Sequence, residues 1–413
     1  MPAELFFDVV IVGAGHGGAQ VAVGLRQRGY EGSIAIIGAE TDPPYERPPL
    51  SKEFLLGEKS FERILIRPPA FWTERNVTIR TGERVVKVDP AERAVSCESG
   101  ARLGYGTLVW AGGGEARRLS CAGSELAGVH SVRTHHDVRR LKSALATATR
   151  VCVIGGGYIG LESAAVLRKL GKHVTIVESQ QRLLARVSGA ALSQFLETEH
   201  RNQGVDVRLS ESVSAIEGSA GAVRRVRLAS GDAIDCNIAI VGIGIVPSTA
   251  PLLAAGARGS DGVDVDPFCR TSLENIFAVG DCARHSNTFA DGQPIRLESV
   301  QNANDMASTV SKMLTGMPSP YEAVPWFWSN QYDLRLQTMG LSLAHDQEVV
   351  RGDPRSRSFS VVYLKDGRVR ALDCINATKD YVGGRSLVVS RAVISPERLA
   401  DATVPLKDMQ AAT

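Results

Sequence analysis

One order of elements occurs twice in this chain of 413 residues: strand, glycine loop, helix, strand, acid. Residues 7–12 form an apolar run that enters Gly13-Ala14-Gly15-His16-Gly17-Gly18. A small-residue helix to about Arg28, a second apolar run over 33–37 and Glu40 follow. From Arg150 the order recurs: strand 151–154, loop Gly155-Gly156-Gly157-Tyr158-Ile159-Gly160, helix to Leu170, strand 173–177 and Glu178. The residue types have a physical reason. In such a loop the first glycine permits the tight turn, and the second lets backbone approach a pyrophosphate. The third lets helix and strand pack closely, and the acid accepts hydrogen bonds from a ribose. The repetition therefore predicts two βαβ units, each holding a dinucleotide. Gly13, Gly15, Gly18 and Glu40 serve the first, and Gly155, Gly157, Tyr158, Ile159, Gly160 and Glu178 the second. Glu178 repels a 2′-phosphate, and Ser179, Gln180 and Gln181 bring no charge to offset it, so the second site favours NADH over NADPH. Arg182 is the one residue that keeps NADPH open.

At roughly 150 residues per domain, this length predicts two or three domains. The 41 glycines exceed the average share of about 7% by roughly a dozen, a surplus the two loops and the strand crossings near Gly112 and Gly244 largely absorb. Lys plus Arg exceeds Asp plus Glu by only two, which offers no global field for nucleic acid or an anionic membrane. The seven cysteines are scattered without any Cys-x-x-Cys, which argues against a disulfide framework, a structural zinc or a vicinal redox pair, and no metal site is expected. The longest later apolar run, 238–246, is far short of the roughly 20 residues of a spanning helix. Residues 6–12 lack a basic leader and a cleavage site. A cytoplasmic protein is expected. His130, His135 and His136 read as a surface loop before the second unit.

Two dinucleotide sites in one chain imply electron traffic between two cofactors. Residues 271–282, Thr-Ser-Leu-Glu-Asn-Ile-Phe-Ala-Val-Gly-Asp-Cys, read as a strand ending in Gly280-Asp281 and resemble the flavoprotein pattern in which the aspartate, here Asp281, binds the ribityl chain. Three further stretches narrow the likeness: Pro44-Tyr45-Glu46-Arg47-Pro48-Pro49-Leu50-Ser51-Lys52, Arg296-Leu297-Glu298-Ser299-Val300-Gln301-Asn302-Ala303 and Val324-Pro325-Trp326-Phe327-Trp328-Ser329. Over nearly its whole length the chain resembles the FAD-dependent NADH:ferredoxin reductases of bacterial oxygenase systems. It departs from them at Ala111-Gly112-Gly113, where the family usually has Ala-Thr-Gly, and at Val246-Pro247-Ser248, where it often has Asn after the proline. Both are backbone crossings, where adjusted hydrogen bonds are expected and not a lost cofactor.

The resemblance implies an α/β, glutathione-reductase-like fold of two Rossmann-like domains plus a C-terminal α+β interface domain. The FAD domain would be discontinuous, 1–112 and 243–321, with the NAD domain at 113–242 and the third domain at 322–413. In that third domain, strands over 358–364 and 369–375 are expected to join across Asp366-Gly367, a hairpin signal, before a helix from about Thr378. The resemblance further implies Arg47 and Pro48 along the flavin and Lys52 beside its N5 edge. Glu162 would pair with Lys52, and Trp328 would cover the ring. Ala111, Glu298, Ser299, Val300 and Gly244 join the cofactor-binding residues. From the residues alone Lys52 also reads as a solvated helix start, Glu162 as an acid favoured by the helix dipole, and Trp326 as core. The implied partner is a [2Fe-2S] ferredoxin supplying a cytochrome P450 or Rieske-type oxygenase, docked on a basic rim including Arg67, Arg296 and Arg335. An NADH oxidase and the flavoprotein of a nitrite reductase are alternatives. They are weakened by the absence of cysteine from residues 45–56 and of added metal-binding domains. A redox-sensitive interaction protein resembling apoptosis-inducing factor is the alternative from another class.

Overall fold

A computed structural model describes residues 5–409. They divide into two compact units, one comprising the chain up to Arg47, 60–115 and 246–323, the other 48–59, 116–245 and the chain from Val324 onward.

In the first unit the strand Leu5–Val12 lies between Ile34–Ile37 and Arg102–Trp110, parallel to both, with Val10 opposite Ala35 and Leu108. Val77–Arg80 extends the sheet on one side and Ile276–Ala278 pairs in parallel with Arg102–Trp110. Val85–Asp89 and Ala94–Cys97 complete it as an antiparallel hairpin. The inner strands are apolar without alternation, as a sheet covered on both faces requires, and Val9, Val10, Ile11, Ile34, Ile36 and Leu108 are buried. Helices His16–Gln27 and Val300–Leu314 pack along each other. The strand expected over 271–282 is shorter than its sequence suggests. Only Ile276–Ala278 pairs as a strand, because the Thr271 hydroxyl accepts from Leu273 N–H at 3.1 Å and donates to Ile276 C=O at 2.9 Å, closing a local turn.

The second unit holds a five-stranded parallel sheet in the order Asp206–Leu209, His173–Glu178, Arg150–Ile154, Ile238–Val241, Val129–His130. Helix Tyr158–Lys169 follows its central strand. Val213–Ser219, Ala222–Leu228 and Ala233–Asp235 form a separate antiparallel sheet. The C-terminal part is a five-stranded antiparallel sheet in the order Trp326–Gln331, Leu334–Gly340, Arg368–Ile375, Ser358–Lys365, Gln347–Asp353. Its predicted hairpin is present: Asp366 (φ 50°) and Gly367 (φ 70°) both take the left-handed conformation that a two-residue turn between twisted strands demands. His135 does not lie in a loop. Thr134 caps helix His135–Leu145 with a capping box whose reciprocal partner is Asp137, and the His135 ring is buried edge-on to Phe54. Lys142 donates to Phe54 C=O at 2.9 Å and lies 5.0 Å from its ring, so this helix tethers the segment 48–59.

Candidate functional site

The two glycine loops are steric copies of each other. At Gly13 (φ +114°) a Cβ would stand 2.1 Å from Ala111 O, and at Gly18 it would stand 1.9 Å from Gly13 O. At Gly155 (φ +110°) the corresponding contact is Gly242 O at 2.3 Å, and at Gly160 it is Gly155 O at 2.1 Å. Neither loop has room for a larger residue at its first or last position. Gly15 and Gly157 are the N-caps of the two helices, and neither helix start has a side-chain cap. The first-turn N–H groups are therefore left as donors for an anion. Ile159, at the second position of its helix, is 40% exposed.

The two acids are held differently. Glu40 accepts from Arg47 Nη2 at 2.6 Å and from Tyr45 OH at 2.5 Å, and the field of Asp281 also favours the Arg47 cation. Glu178 turns back on its own loop, accepting from Gly156 N–H at 2.6 Å through one oxygen and from Gln180 N–H at 2.8 Å through the other. Arg182 donates to the carbonyls of Ala185, Ser188 and Gly189 and to the Ser193 hydroxyl, so its guanidinium is committed to building the following loop.

Lys52 and Glu162 meet. Pro48 opens a 3₁₀ turn that ends at Ser51, and Lys52 is the N-cap of Glu53–Leu56. Its Nζ lies 2.5 Å from Glu162 Oε2, which also accepts from Ser51 Oγ at 2.5 Å. Glu162 Oε1 accepts from Ser329 Oγ at 2.7 Å. Glu162 is 1% exposed and lies past the first turn of its helix, where the dipole reading loses its force. Strand and helix periods explain the assembly. Tyr158 and Glu162 are one turn apart on their helix, while Phe327 and Ser329 are two apart on strand Trp326–Gln331, so both pairs present one face. The Tyr158 and Phe327 rings lie 4.5 Å apart. Trp326 and Trp328 share the other face, 5.6 Å apart, and both are only half-buried, unlike core residues. Burial, with Asp373 and Glu162 nearby, pushes the Tyr158 phenol well above its ordinary range.

Sequence reasoning missed Ser51, Ser329, Gln331 and His200. The available signal was the alternation Phe327-x-Ser329-x-Gln331, which puts two polar side chains on the inward face of a strand.

At the crossings, Trp110 Nε1–H donates to Ser248 C=O at 2.7 Å and Ser248 N–H donates to Gly113 C=O at 3.0 Å, so the two departures from the family pattern bond to each other. Ala111 N–H donates to Val12 C=O at 2.7 Å, and Gly244 (φ +97°) accepts from Arg117 N–H at 2.9 Å. Ser299 caps helix Val300–Leu314 by accepting from Asn302 N–H. Arg296 is 9% exposed and held by Asp261 at 3.2 Å and Glu298 at 3.0 Å, both of them exposed acids, and by Asp281 C=O at 2.7 Å. Arg67 and Arg335 are exposed. Among the described residues no group of three or more His, Cys, Asp and Glu could hold a metal, and no helix is long and apolar enough to cross a membrane. All seven cysteines are free thiols.

Two dinucleotide loops in one chain, with a buried lysine–carboxylate pair beside the second, define a nucleotide-dependent oxidoreductase. The chain belongs to the pyridine nucleotide-disulphide oxidoreductase family, whose profile matches residues 7–307, with a reductase C-terminal domain over 326–410, and within that family to the ferredoxin reductases. It is 58% identical to the 5,5′-dehydrodivanillate O-demethylase ferredoxin reductase subunit of Sphingobium sp., covering 98% of this chain and 99% of that one. Two solved structures superpose with a TM-score of 0.93. The ferredoxin reductase for the CYP199A2 system of Rhodopseudomonas palustris is 37% identical, covering 97% of this chain and 99% of that one. The reductase of the covalent putidaredoxin reductase–putidaredoxin complex is 36% identical, covering 97% of each.

Proposed function

We propose that the chain is a cytoplasmic, FAD-dependent NADH:ferredoxin oxidoreductase that takes a hydride from NADH and delivers single electrons to a [2Fe-2S] ferredoxin feeding a cytochrome P450 or Rieske-type oxygenase. One hydride carries two electrons, so each NADH reduces two ferredoxins and releases one proton. The observation that carries the reading is the Lys52–Glu162 pair, buried where the second nucleotide loop opens its helix, in a chain with no cysteine between residues 45 and 56. Without a thiol there, electrons leave by a carrier and not through a disulfide.

The residues present fit both cofactors. Each loop excludes a Cβ at its tight turn and at its helix–strand contact, a Cβ at its middle glycine (Gly15 or Gly157) would meet no protein atom closer than 3.9 Å, and each helix start has uncapped N–H groups. In the proposed division the FAD domain is 1–112 with 243–321, the NAD domain 113–242 and the C-terminal domain 322–413. Gly13, Gly15 and Gly18 cradle the FAD pyrophosphate and Glu40 its ribose. Arg47, Pro48, Ala111, Asp281, Glu298, Ser299 and Val300 line the rest. Gly155, Gly157, Tyr158, Ile159, Gly160, Glu178 and Gly244 hold NADH. FAD supplies, when bound, a ring that takes two electrons together and gives them up singly. Lys52, oriented by Glu162, would bring a fixed positive charge to that ring, and Trp328 would cover it. No acid–base residue is required, so the protein's work is positioning.

The test is NADH-driven reduction of cytochrome c with and without a [2Fe-2S] ferredoxin. The reading expects strong dependence on the ferredoxin and two cytochromes reduced per NADH. Equal rates with and without each of several [2Fe-2S] ferredoxins, including that of a 5,5′-dehydrodivanillate O-demethylase system, would overturn it.

A further inference from the structure

The Lys52–Glu162 pair is the inner end of a longer polar line. Beyond Ser329, Gln331 Nε2 donates to Ser329 Oγ at 3.2 Å, Gln331 Oε1 lies 2.9 Å from His200 Nε2, and the Tyr332 hydroxyl lies 2.9 Å from His200 Nδ1. Ser329 is 1% exposed, Gln331 2% and His200 0%. Three elements contribute: helix Tyr158–Lys169, strand Trp326–Gln331 and helix Ala190–Asn202.

The chemistry permits one direction of donation along this line. The Glu162 carboxylate has no proton to give, so Ser329 donates to it. The Ser329 oxygen then needs a donor, which turns the Gln331 amide nitrogen toward it and the amide oxygen toward His200. An amide oxygen only accepts, so His200 must carry its proton on Nε2, leaving Nδ1 to accept from Tyr332. The amide at Gln331 also interrupts any proton conduction, so the line transmits orientation and not protons. A buried polar line of this kind is tolerated only when every member is satisfied, and this one is.

We propose that His200 is a positioning residue for the Lys52–Glu162 pair, acting through Gln331 and Ser329 to hold the Glu162 carboxylate with one oxygen on Ser329 and the other on Lys52. The inference rests on the assignment of that pair to the reaction. Burial holds the imidazole below its ordinary range, which keeps it in the neutral form the line requires. The Gln331 bond and the neighbouring Glu199, itself paired with Arg357 at 3.0 Å, act in the opposite sense.

The test compares His200→Phe, His200→Gln, Ser329→Ala and Lys52→Met in the FAD-loaded protein by anaerobic stopped flow, NADH titration and flavin midpoint potential. In His200→Gln the amide N–H reaches the place of Nε2. His200→Phe and Ser329→Ala should slow the limiting rate of flavin reduction by about tenfold or more, leave the NADH dissociation constant unchanged, and move the potential in the direction that Lys52→Met moves it. His200→Gln should recover most of both. If His200→Phe does not fold, Ser329→Ala and His200→Gln carry the comparison. Loss in Lys52→Met with none in His200→Phe or Ser329→Ala would leave the pair standing and overturn the line. Loss in the latter two with Lys52→Met unchanged would show that they do not act through the pair, and also overturns it. So does a His200→Gln variant no better than His200→Phe. Independently, 15N NMR of histidine-labelled protein should find His200 neutral and protonated at Nε2; a proton on Nδ1 contradicts the proposal.

Discussion

Lys52 Nζ lies 2.5 Å from Glu162 Oε2, and the carboxylate it meets is 1% exposed. A buried acid that loses its paired cation keeps only its hydroxyl donors, here Ser51 and Ser329, which costs about 3 kcal/mol or more. Lys52→Met should therefore lower the unfolding free energy by that amount in denaturant titration and slow flavin reduction by NADH, whereas Lys59→Met, whose partner Glu53 is one-third exposed, should cost less than about 1 kcal/mol. Equal effects would show that burial of the first pair has no energetic weight.

Coenzyme preference follows from where two side chains are committed. Glu178 is fixed on the loop it follows, and Arg182 is occupied by three carbonyls and a hydroxyl. The protein should bind NADH more tightly than NADPH, and Arg182→Ala should lower the melting temperature without shifting that preference. An Arg182→Ala variant that loses only NADPH binding would place the guanidinium on the coenzyme.

Gly13 and Gly171 both have positive φ but differ in surroundings. Alanine at Gly13 would drive Cβ to 2.1 Å from a backbone oxygen, while alanine at Gly171 meets nothing within 4 Å. Gly171→Ala should cost only the conformational penalty, about 1–2 kcal/mol, and retain FAD. Gly13→Ala should be purified without flavin, judged by the ratio of visible to ultraviolet absorbance. A yellow Gly13→Ala protein would show that the crossing can move aside.

Burial, reinforced by the charge of Glu348, pushes Asp373 up to about 7, although Tyr363 OH donates to it at 2.7 Å and His345 acts against the shift. The unfolded carboxyl titrates near ~3.9. Asp373 therefore favours the fold fully below pH ~4 and loses that contribution as pH rises toward 7, an effect on the order of 4 kcal/mol. Asp373→Asn keeps an acceptor for Tyr363 and cannot ionise. Between pH 5 and 8 its melting temperature should fall less than that of the natural protein. Parallel curves would mean that Asp373 is ionised throughout.

What was legible in the sequence was what local sterics dictate. The βαβ units could be read because only glycine survives at Gly13, Gly18, Gly155 and Gly160, and the hairpin because Asp366-Gly367 takes left-handed conformations few residues tolerate. The bonds Glu162–Ser329 and Gln331–His200 each join positions more than a hundred residues apart, and no local pattern marks a glutamine as the partner of a distant histidine. Nor do the neighbours of Arg296 in sequence reveal that Asp261 pairs with it. The strand expected over 271–282 was shortened by one hydroxyl, at Thr271, competing for the backbone.

The central claim, that electrons enter from NADH two at a time and leave singly to an iron–sulfur carrier, is tested most directly by a two-stage anaerobic stopped-flow experiment. NADH is mixed with the FAD-loaded protein, and the reduced protein is then mixed with excess oxidised [2Fe-2S] ferredoxin. The account predicts rapid bleaching of the flavin in the first stage, and in the second its recovery with two ferredoxins reduced per flavin. A flavin that bleaches but stays reduced in the presence of the ferredoxin, recovering only when oxygen is admitted, would contradict it.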